Sequence, residues 1–222
     1  MLTDARGKQR VFVYGASGHA KVVIDAIECQ GLYEIAFLVD DDVNLKGRHV
    51  FGYPSIGGKD DLIVFAKREA IKAGIVAIGG NPARRAVAVW LTKRGFEFIT
   101  AVHPAAPIGR GVEIGAGSVI MPGAVVNADT SIGEHVIINT GATVDHDCRI
   151  GDFAHIAPGA HICGTVTIGA NAFICAGVTV TPNRSIGQNV IVGAGSTVIY
   201  DLPDDITAIG SPAEILKKNE KA

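Results

Sequence analysis

Two hydrophobic rhythms divide the chain. In the first hundred residues, short apolar runs alternate with longer amphipathic stretches. RVFVYG (10–15) reads as a β-branched and aromatic strand ending in glycine. GASGHAKVVIDAIECQG (15–31) then fits a turn leading into a helix, with Val22, Val23, Ala26 and Ile27 on one side. EIAFLVDDD (34–42) is a second strand that ends in acids. IVAIGG (75–80) is a third, followed by a helix from Pro82 to about Arg94, with proline where a first turn tolerates it. Strands alternating with helices predict a small, Rossmann-like α/β domain with a parallel sheet.

Beyond residue 101 the rhythm changes to six. Every sixth residue from Val102 through Ile108, Ile114 and so on to Val198 is isoleucine or valine, seventeen in succession. A slower beat of eighteen lies over it: Ile-Gly recurs at 114, 132, 150, 168 and 186, and glycine at 123, 141, 159, 177 and 195. One hexad is a short strand plus a turn, and three hexads close a triangular coil. The branched residue points inward onto its equivalent in the next coil, about 4.8 Å away. This is the signature of a left-handed parallel β-helix built from hexapeptide repeats. A β-sandwich would instead show a two-residue alternation and irregular loops. The repeat stops after Val198, and AEILKK (213–218) suggests a short helix capping the last coil. The switch near His103–Pro104 divides the chain into domains 1–101 and 102–222.

Composition narrows the class. Hydrophobic residues make up 48% and charged ones 19%, enough to bury a sizeable core and contrary to disorder. A net charge of −2 argues against a broad nucleic-acid surface. The start MLTDARGKQR is polar, unlike a signal peptide, and no apolar run approaches the ~20 residues of a membrane span. A soluble, cytoplasmic protein is expected. Its four cysteines, Cys29, Cys148, Cys163 and Cys175, form no CxxC pair and read as half-buried thiols.

Two stretches carry candidate chemistry. GASGHA opens a helix directly after a strand, where backbone N–H groups can receive a phosphate. Its glycines are spaced GxxG rather than GxGxxG, so a bare turn with structural glycines competes with a nucleotide site. Asp40 lies about 20 residues beyond, where an acid could bind a ribose hydroxyl. The hexad Val144-Asp145-His146-Asp147-Cys148-Arg149 sets an imidazole between two carboxylates. A carboxylate beside the ring holds its tautomer and stabilises the imidazolium formed when the ring takes a proton, as a general base requires. The competing reading is a solvated polar face. His155 and His161 follow in the next coil, on the surface or in a groove. A zinc site like that of the gamma-class carbonic anhydrases would need three histidines. His146, His155 and His161 occupy the third, sixth and sixth hexad positions, and the latter two lie on different faces of one coil. No three-histidine cluster and no metal are expected.

Four stretches carry a family resemblance: YGASGH (14–19), AIGGNPARR (77–85), NTGATVDHDCRIGDFAHIAPGA (139–160) and IGSPAEILKK (209–218). Together, and in this order, the chain resembles the hexapeptide acetyltransferases that modify bacterial sugars, of the two-domain sialic acid O-acetyltransferase type. Within them it is most similar to UDP-4-amino-sugar N-acetyltransferases of the bacillosamine pathway. The resemblance implies a homotrimer with acetyl-CoA as co-substrate, lying between neighbouring β-helices, and a nucleotide-linked amino sugar held by the N-terminal domain. It implies that His146 is the general base, with Asp147 as the acid beside it where relatives have glutamate. Asn139 and Asp145 would line the acceptor pocket. His155, Ala176 and Ala194 match acetyl-CoA contacts, and the Gly164 N–H matches an oxyanion donor. Ser17, Gly18, His19, Asp40, Asp41 and Gly79 match the nucleotide-sugar site. O-acetylation of sialic acid and N-acetylation of GDP-perosamine stay open within the fold. So, more remotely, do the zinc enzyme and a non-catalytic nucleotide-sugar binding protein.

Overall fold

The computed structural model describes residues 7–219; most of the polar N-terminal stretch and the last three residues lie outside them. Two compact units meet at Ala101/Val102. No helix among the described residues is long and apolar enough to cross a membrane.

The first unit contains β1 (Gln9–Tyr14), α1 (Gly18–Gln30), β2 (Tyr33–Val39), the two-residue strands β3 (His49–Val50) and β4 (Tyr53–Pro54), α2 (Lys59–Arg68), β5 (Ala73–Val76), α3 (Asn81–Thr92) and β6 (Glu97–Phe98). The main sheet is parallel, in the order β2-β1-β5-β6, and β3 and β4 form an antiparallel hairpin. Val11, Phe12, Val13, Leu38 and Ile75 are fully buried, as expected of strands covered on both faces. Val23, Ala26 and Ile27 of α1 pack inward as the pattern predicts, joined by Ala20 and Ile24, whereas Val22 is only half-buried. The third strand begins and ends earlier than predicted, which leaves 77–80 as the loop into α3.

The second unit is the left-handed β-helix. Each strand pairs in parallel with the one eighteen residues on, as in Val126↔Val144, Val144↔Ile162 and Ile162↔Val180. Three stacked faces result. Face one carries Val119, Ile137, His155, Phe173 and Ile191 outward, face two Val125, Thr143, His161, Thr179 and Thr197, and face three Glu113, Ser131, Arg149, Thr167 and Ser185. The inward series fills the interior, with Ile120, Val126, Ile138, Val144, Ile156, Ile174, Val180 and Val192 fully buried. At the first coil the series is not enclosed, and Ile108 is 38% exposed.

The glycine series meet two distinct needs. Gly123 and its equivalents have φ near +70°, a left-handed corner that favours glycine. The glycine after each face-three isoleucine sits against the next coil: a Cβ on Gly151 would stand 2.6 Å from the Ala170 nitrogen.

The predicted C-terminal helix is corrected. Ile206–Ile209 continues face one in parallel, and Glu214–Lys218 returns antiparallel to it. AEILKK therefore closes the sheet as an edge strand, because a strand can use the hydrogen-bonding groups that the last coil leaves open and a helix cannot.

Replacing the inward Ile156 by alanine should cost about 2–5 kcal/mol through lost burial and the cavity left behind. Thr179→Ala on the outward side should stay within about 0.5 kcal/mol of wild type. Chemical denaturation of the two variants checks the difference.

Candidate active site

Faces two and three meet at a corner whose successive turns are residues 127–130, 145–148 and 163–166. The middle turn carries His146. Sequence neighbours on a strand point apart, but these residues lie in a turn, and Asp147 adopts φ +58°. That left-handed backbone swings its carboxylate back onto the ring, with His146 Nδ1 2.7 Å from Asp147 Oδ2. An ionised carboxylate can only accept, so Nδ1 carries the proton and Nε2 holds the lone pair of the neutral ring. The His146 N–H donates to Asp145 Oδ1 at 2.8 Å, an oxygen that also accepts from Asn127 Nδ2 at 2.8 Å. The hydrogen bond to Asp147, then the charge of Asp145, raise the His146 pKa above its ordinary 6.5. The Asn127 and His146 donors hold the Asp145 carboxyl below its ordinary value.

The ring of His146 lies over Gly164 in the next coil. A Cβ there would fall 2.6 Å from Nε2, so glycine is what makes room for the imidazole. Among the described residues the Gly164 N–H has no hydrogen-bond acceptor, which leaves it available as a donor at this corner. Next to this corner a groove of about 440 Å³ is lined by Asp129, Ser131, Asp147, Arg149, Thr165 and Thr167. Cys148 is buried, its thiol donates to the Cys163 carbonyl at 3.2 Å, and burial raises its pKa. It is therefore poorly suited to act as a thiolate.

The remaining predicted residues of this unit gather at the other edge of face two. Asn139, Ala176 and Ala194 occupy corners between faces one and two, and His155 is the outward face-one residue just before that corner. Asn139 Oδ1 accepts from the Thr140 N–H at 2.8 Å, which turns Nδ2 toward His155 Nε2 at 3.0 Å. His155 Nε2 is thus an acceptor, with the proton on Nδ1, and the ring stacks on Phe173 with centroids 4.9 Å apart. Asn139 and Asp145 lie before and after the face-two strand Thr143–Val144, at opposite corners of one coil. The two clusters are not brought together in one copy. His161 is exposed on face two, its Nδ1 2.9 Å from Thr143 Oγ1, and no group of three His, Cys, Asp or Glu side chains poised for a metal occurs among the described residues.

In the first unit the predicted residues collect around the β1–α1 turn. Ser17 is the N-cap of α1 and makes no side-chain capping bond, so the first-turn N–H groups at Gly18 and beyond remain available. Asp40 braces the turn, with Oδ2 accepting from the Ala16 N–H at 2.8 Å and Oδ1 from the Asp42 N–H at 2.9 Å. Asp41 accepts from the Tyr14 hydroxyl at 2.8 Å and the Lys59 N–H at 3.3 Å; burial first, then Asp41, raise the Tyr14 pKa. His19 lies against Gly79. Burial, and then the Arg84 charge, push its pKa down to about 4. Arg84 is 1% exposed and donates to the carbonyls of Ile78 and Gly79 and to Asn81 Oδ1, which fixes the AIGGN loop beside His19.

A cavity of about 390 Å³ opens here, lined among others by Ser17, Gly18, Lys21, Arg48, His49 and Phe51. Two cations beside a helix N-terminus suit an anionic group. Lys21 was legible as a cation three positions into the predicted helix. Arg48, on the hairpin, had no signal in the sequence.

The fold and these corners define a hexapeptide-repeat transferase joined to an α/β domain. Residues 10–91 match the family model "PglD N-terminal domain", and 111–146 and 147–182 match "Bacterial transferase hexapeptide (six repeats)". A perosamine N-acetyltransferase from Caulobacter crescentus, a histidine-to-asparagine variant in complex with CoA and GDP-perosamine, is 39% identical. It aligns over 94% of this chain and 97% of its own, with a TM-score of 0.88. The acetyltransferase domain of PglB from Neisseria gonorrhoeae FA1090, in complex with acetyl coenzyme A, is 37% identical over 95% of this chain and 100% of its own, with a TM-score of 0.85. UDP-N-acetylbacillosamine N-acetyltransferase of Bacillus subtilis (strain 168) is 36% identical over 115 residues, 51% of this chain and about half the length, 51%, of that relative. The chain belongs to this two-domain family of sugar N-acetyltransferases.

Gly164→Ala should displace the flexible His146 ring rather than the coil, lowering kcat by about 10²-fold with an unchanged melting midpoint. The His19 shift predicts a pH-dependent stability. The neutral buried ring contributes its full stabilisation above the unfolded pKa of about 6.5, and that contribution is lost as pH falls toward about 4. Urea unfolding followed by the single tryptophan, Trp90, should show this slope, and His19→Asn should flatten it.

Proposed function

We propose that the protein transfers the acetyl group of acetyl-CoA to the amine of a nucleotide-linked amino sugar, with a UDP-4-amino sugar as the favoured acceptor. The observation that carries this reading is the pairing at one corner of an exposed imidazole, whose Nε2 is left as the lone-pair nitrogen by the Asp147 contact, with the Gly164 N–H beside which that ring lies. The sugar amine attacks the thioester carbonyl carbon. His146 Nε2 accepts a proton from the amine, and the Gly164 N–H donates to the oxyanion of the tetrahedral intermediate. The C–S bond then breaks, the amide remains on the sugar, and the proton passes from His146 to the departing thiolate. No protein nucleophile is needed, in keeping with the buried, protonated Cys148. Base catalysis of this kind contributes about 10²–10⁴-fold, and one oriented donor about 10²–10³-fold.

The N-terminal unit binds the nucleotide. Lys21, Arg48 and the first turn of α1 receive the diphosphate, and Ser17, Gly18, His19, Asp40, Asp41 and Gly79 shape the remainder of that site. Acetyl-CoA runs along the corner of His155, Ala176 and Ala194, with Asn139 and Asp145 toward the acceptor. The separation of that corner from His146 within one chain supports a homotrimer, in which the acetyl-CoA corner of one copy faces the His146 corner of another. The reaction draws on acetyl-CoA and is assigned to the cytoplasm. A GDP-linked acceptor is the second reading, favoured by the GDP-perosamine bound to the 39% identical relative.

A panel of UDP-, GDP- and CMP-linked sugars with acetyl-CoA, followed by thiol release, tests the reading. Turnover is expected with an amino sugar, highest for the UDP form, and His146→Ala should lower kcat at least about 10²-fold. Turnover only of CMP-linked or free sialic acid would replace amine with hydroxyl acetylation. Near-wild-type activity of His146→Ala, or of a monomer in light scattering, would overturn the base assignment or the intersubunit site.

A further inference from the structure

Below the turn that carries His146 lies the turn 127–130, and four hydrogen bonds join the two, one of them from the Cys148 N–H to Thr130 Oγ1. Asn127 Nδ2 donates to Asp145 Oδ1 at 2.8 Å, Thr130 Oγ1 donates to the Asp145 carbonyl at 2.7 Å, and the Asp147 N–H donates to the Ala128 carbonyl at 3.0 Å. The last two belong to the general design of the coil. Ser118 bridges Gly133 and Val136 in the same way as Thr130 bridges Asp145 and Cys148, at a corner with no part in the site. Asn189 likewise donates to the Asp205 carboxylate at 2.7 Å, so what sets the Asn127 contact apart is that its acceptor oxygen is shared with the base's own N–H. Asp145 Oδ1 is thereby held between the coil below and the backbone of His146.

We propose that Asn127 is a positioning residue for the general base, acting through Asp145, which it anchors across the gap between coils. This rests on His146 being the base. With the amide in place, Asp145 has one rotamer in which a single oxygen serves two donors, so its charge stands at a fixed place beside the imidazole. Without it the carboxylate keeps only the His146 N–H and can turn into solvent, since the site is open. The other charged groups are Asp147, which contacts the ring from its own turn, and, lining the adjoining groove, Asp129 on the turn below and Arg149 on the following strand. None of these is held by Asn127.

Two substitutions separate a positioning role from a structural one. Asn127→Leu removes the donor at similar volume and should lower kcat about tenfold, the worth of one hydrogen bond to a charged group. The KM for acetyl-CoA and the melting midpoint should be unchanged. Asn127→Asp sets a second carboxylate against Asp145 and should be more damaging at neutral pH. Its activity relative to wild type should recover as pH falls, because a proton shared by the two carboxyls restores a donor to Oδ1. The leucine variant should show no such recovery. A measurement without substrate is the NMR titration of the His146 imidazole in the intact protein, its resonance assigned by its disappearance in His146→Ala. Asn127→Leu should move that pKa down by a few tenths of a unit. Wild-type kcat and an unmoved titration in Asn127→Leu would overturn the proposal, as would losses that track the melting midpoint alone. His146→Ala assayed in parallel distinguishes the two failures: if it is inactive while Asn127→Leu is normal, only the role of Asn127 falls.

Discussion

Parallel pairing at a spacing of eighteen residues governs the second unit, because each residue stacks on its counterpart one coil away. The inward isoleucines and valines meet their equivalents, and β-branched side chains suit that stacking because they hold few rotamers. The same register sets what surrounds the chemistry. Asn127 stands under Asp145 and Gly164 stands over His146, each eighteen residues apart. A one-residue slip would turn apolar side chains outward and would also separate every one of these polar pairs. Core and active site thus depend on one geometric rule.

The two units handle charge differently. His146 and Asp147 are more than half exposed, at 57% and 58%, so water and salt screen their attraction. What the contact contributes is orientation: it assigns the proton to Nδ1 and leaves Nε2, beside Gly164, as the lone-pair nitrogen. Arg84 is in the opposite situation. Its guanidinium is buried, and burial lowers its pKa to about 10, so it needs the three oxygens it reaches. In return it fixes the loop beside His19 and helps keep that ring neutral. The solenoid places a reactive group in the open, and the α/β unit uses a buried charge to shape a binding loop.

Much of this was legible in residue order. The sixfold and eighteenfold rhythms specify a β-helix because no other fold repeats short strands at that spacing without slippage, and the hexad around His146 stands out because it carries Asp-His-Asp within an unbroken register. The local strand and helix pattern likewise defines the α/β unit. Other features were not legible. AEILKK has a helical composition, yet it forms a strand, since the open edge of the last coil offers hydrogen bonds that local propensity does not register. The resemblance implied Asp147 beside His146, but how its short side chain reaches Nδ1 was not legible, because that contact needs a left-handed backbone at Asp147.

The sequence by itself determined the period, the inward face and the change of rhythm near residue 102, because each follows from repetition or from residue type. Only the tertiary structure decided which of these residues meet. Asn127 joins Asp145 because coils stack eighteen residues apart, Arg48 joins Lys21 because a hairpin folds back over the first turn of α1, and Asn139 pairs with His155 rather than with His146 because a triangular coil sends the two to opposite edges of one face. Contacts across coils depend on three-dimensional register, which residue type alone does not encode.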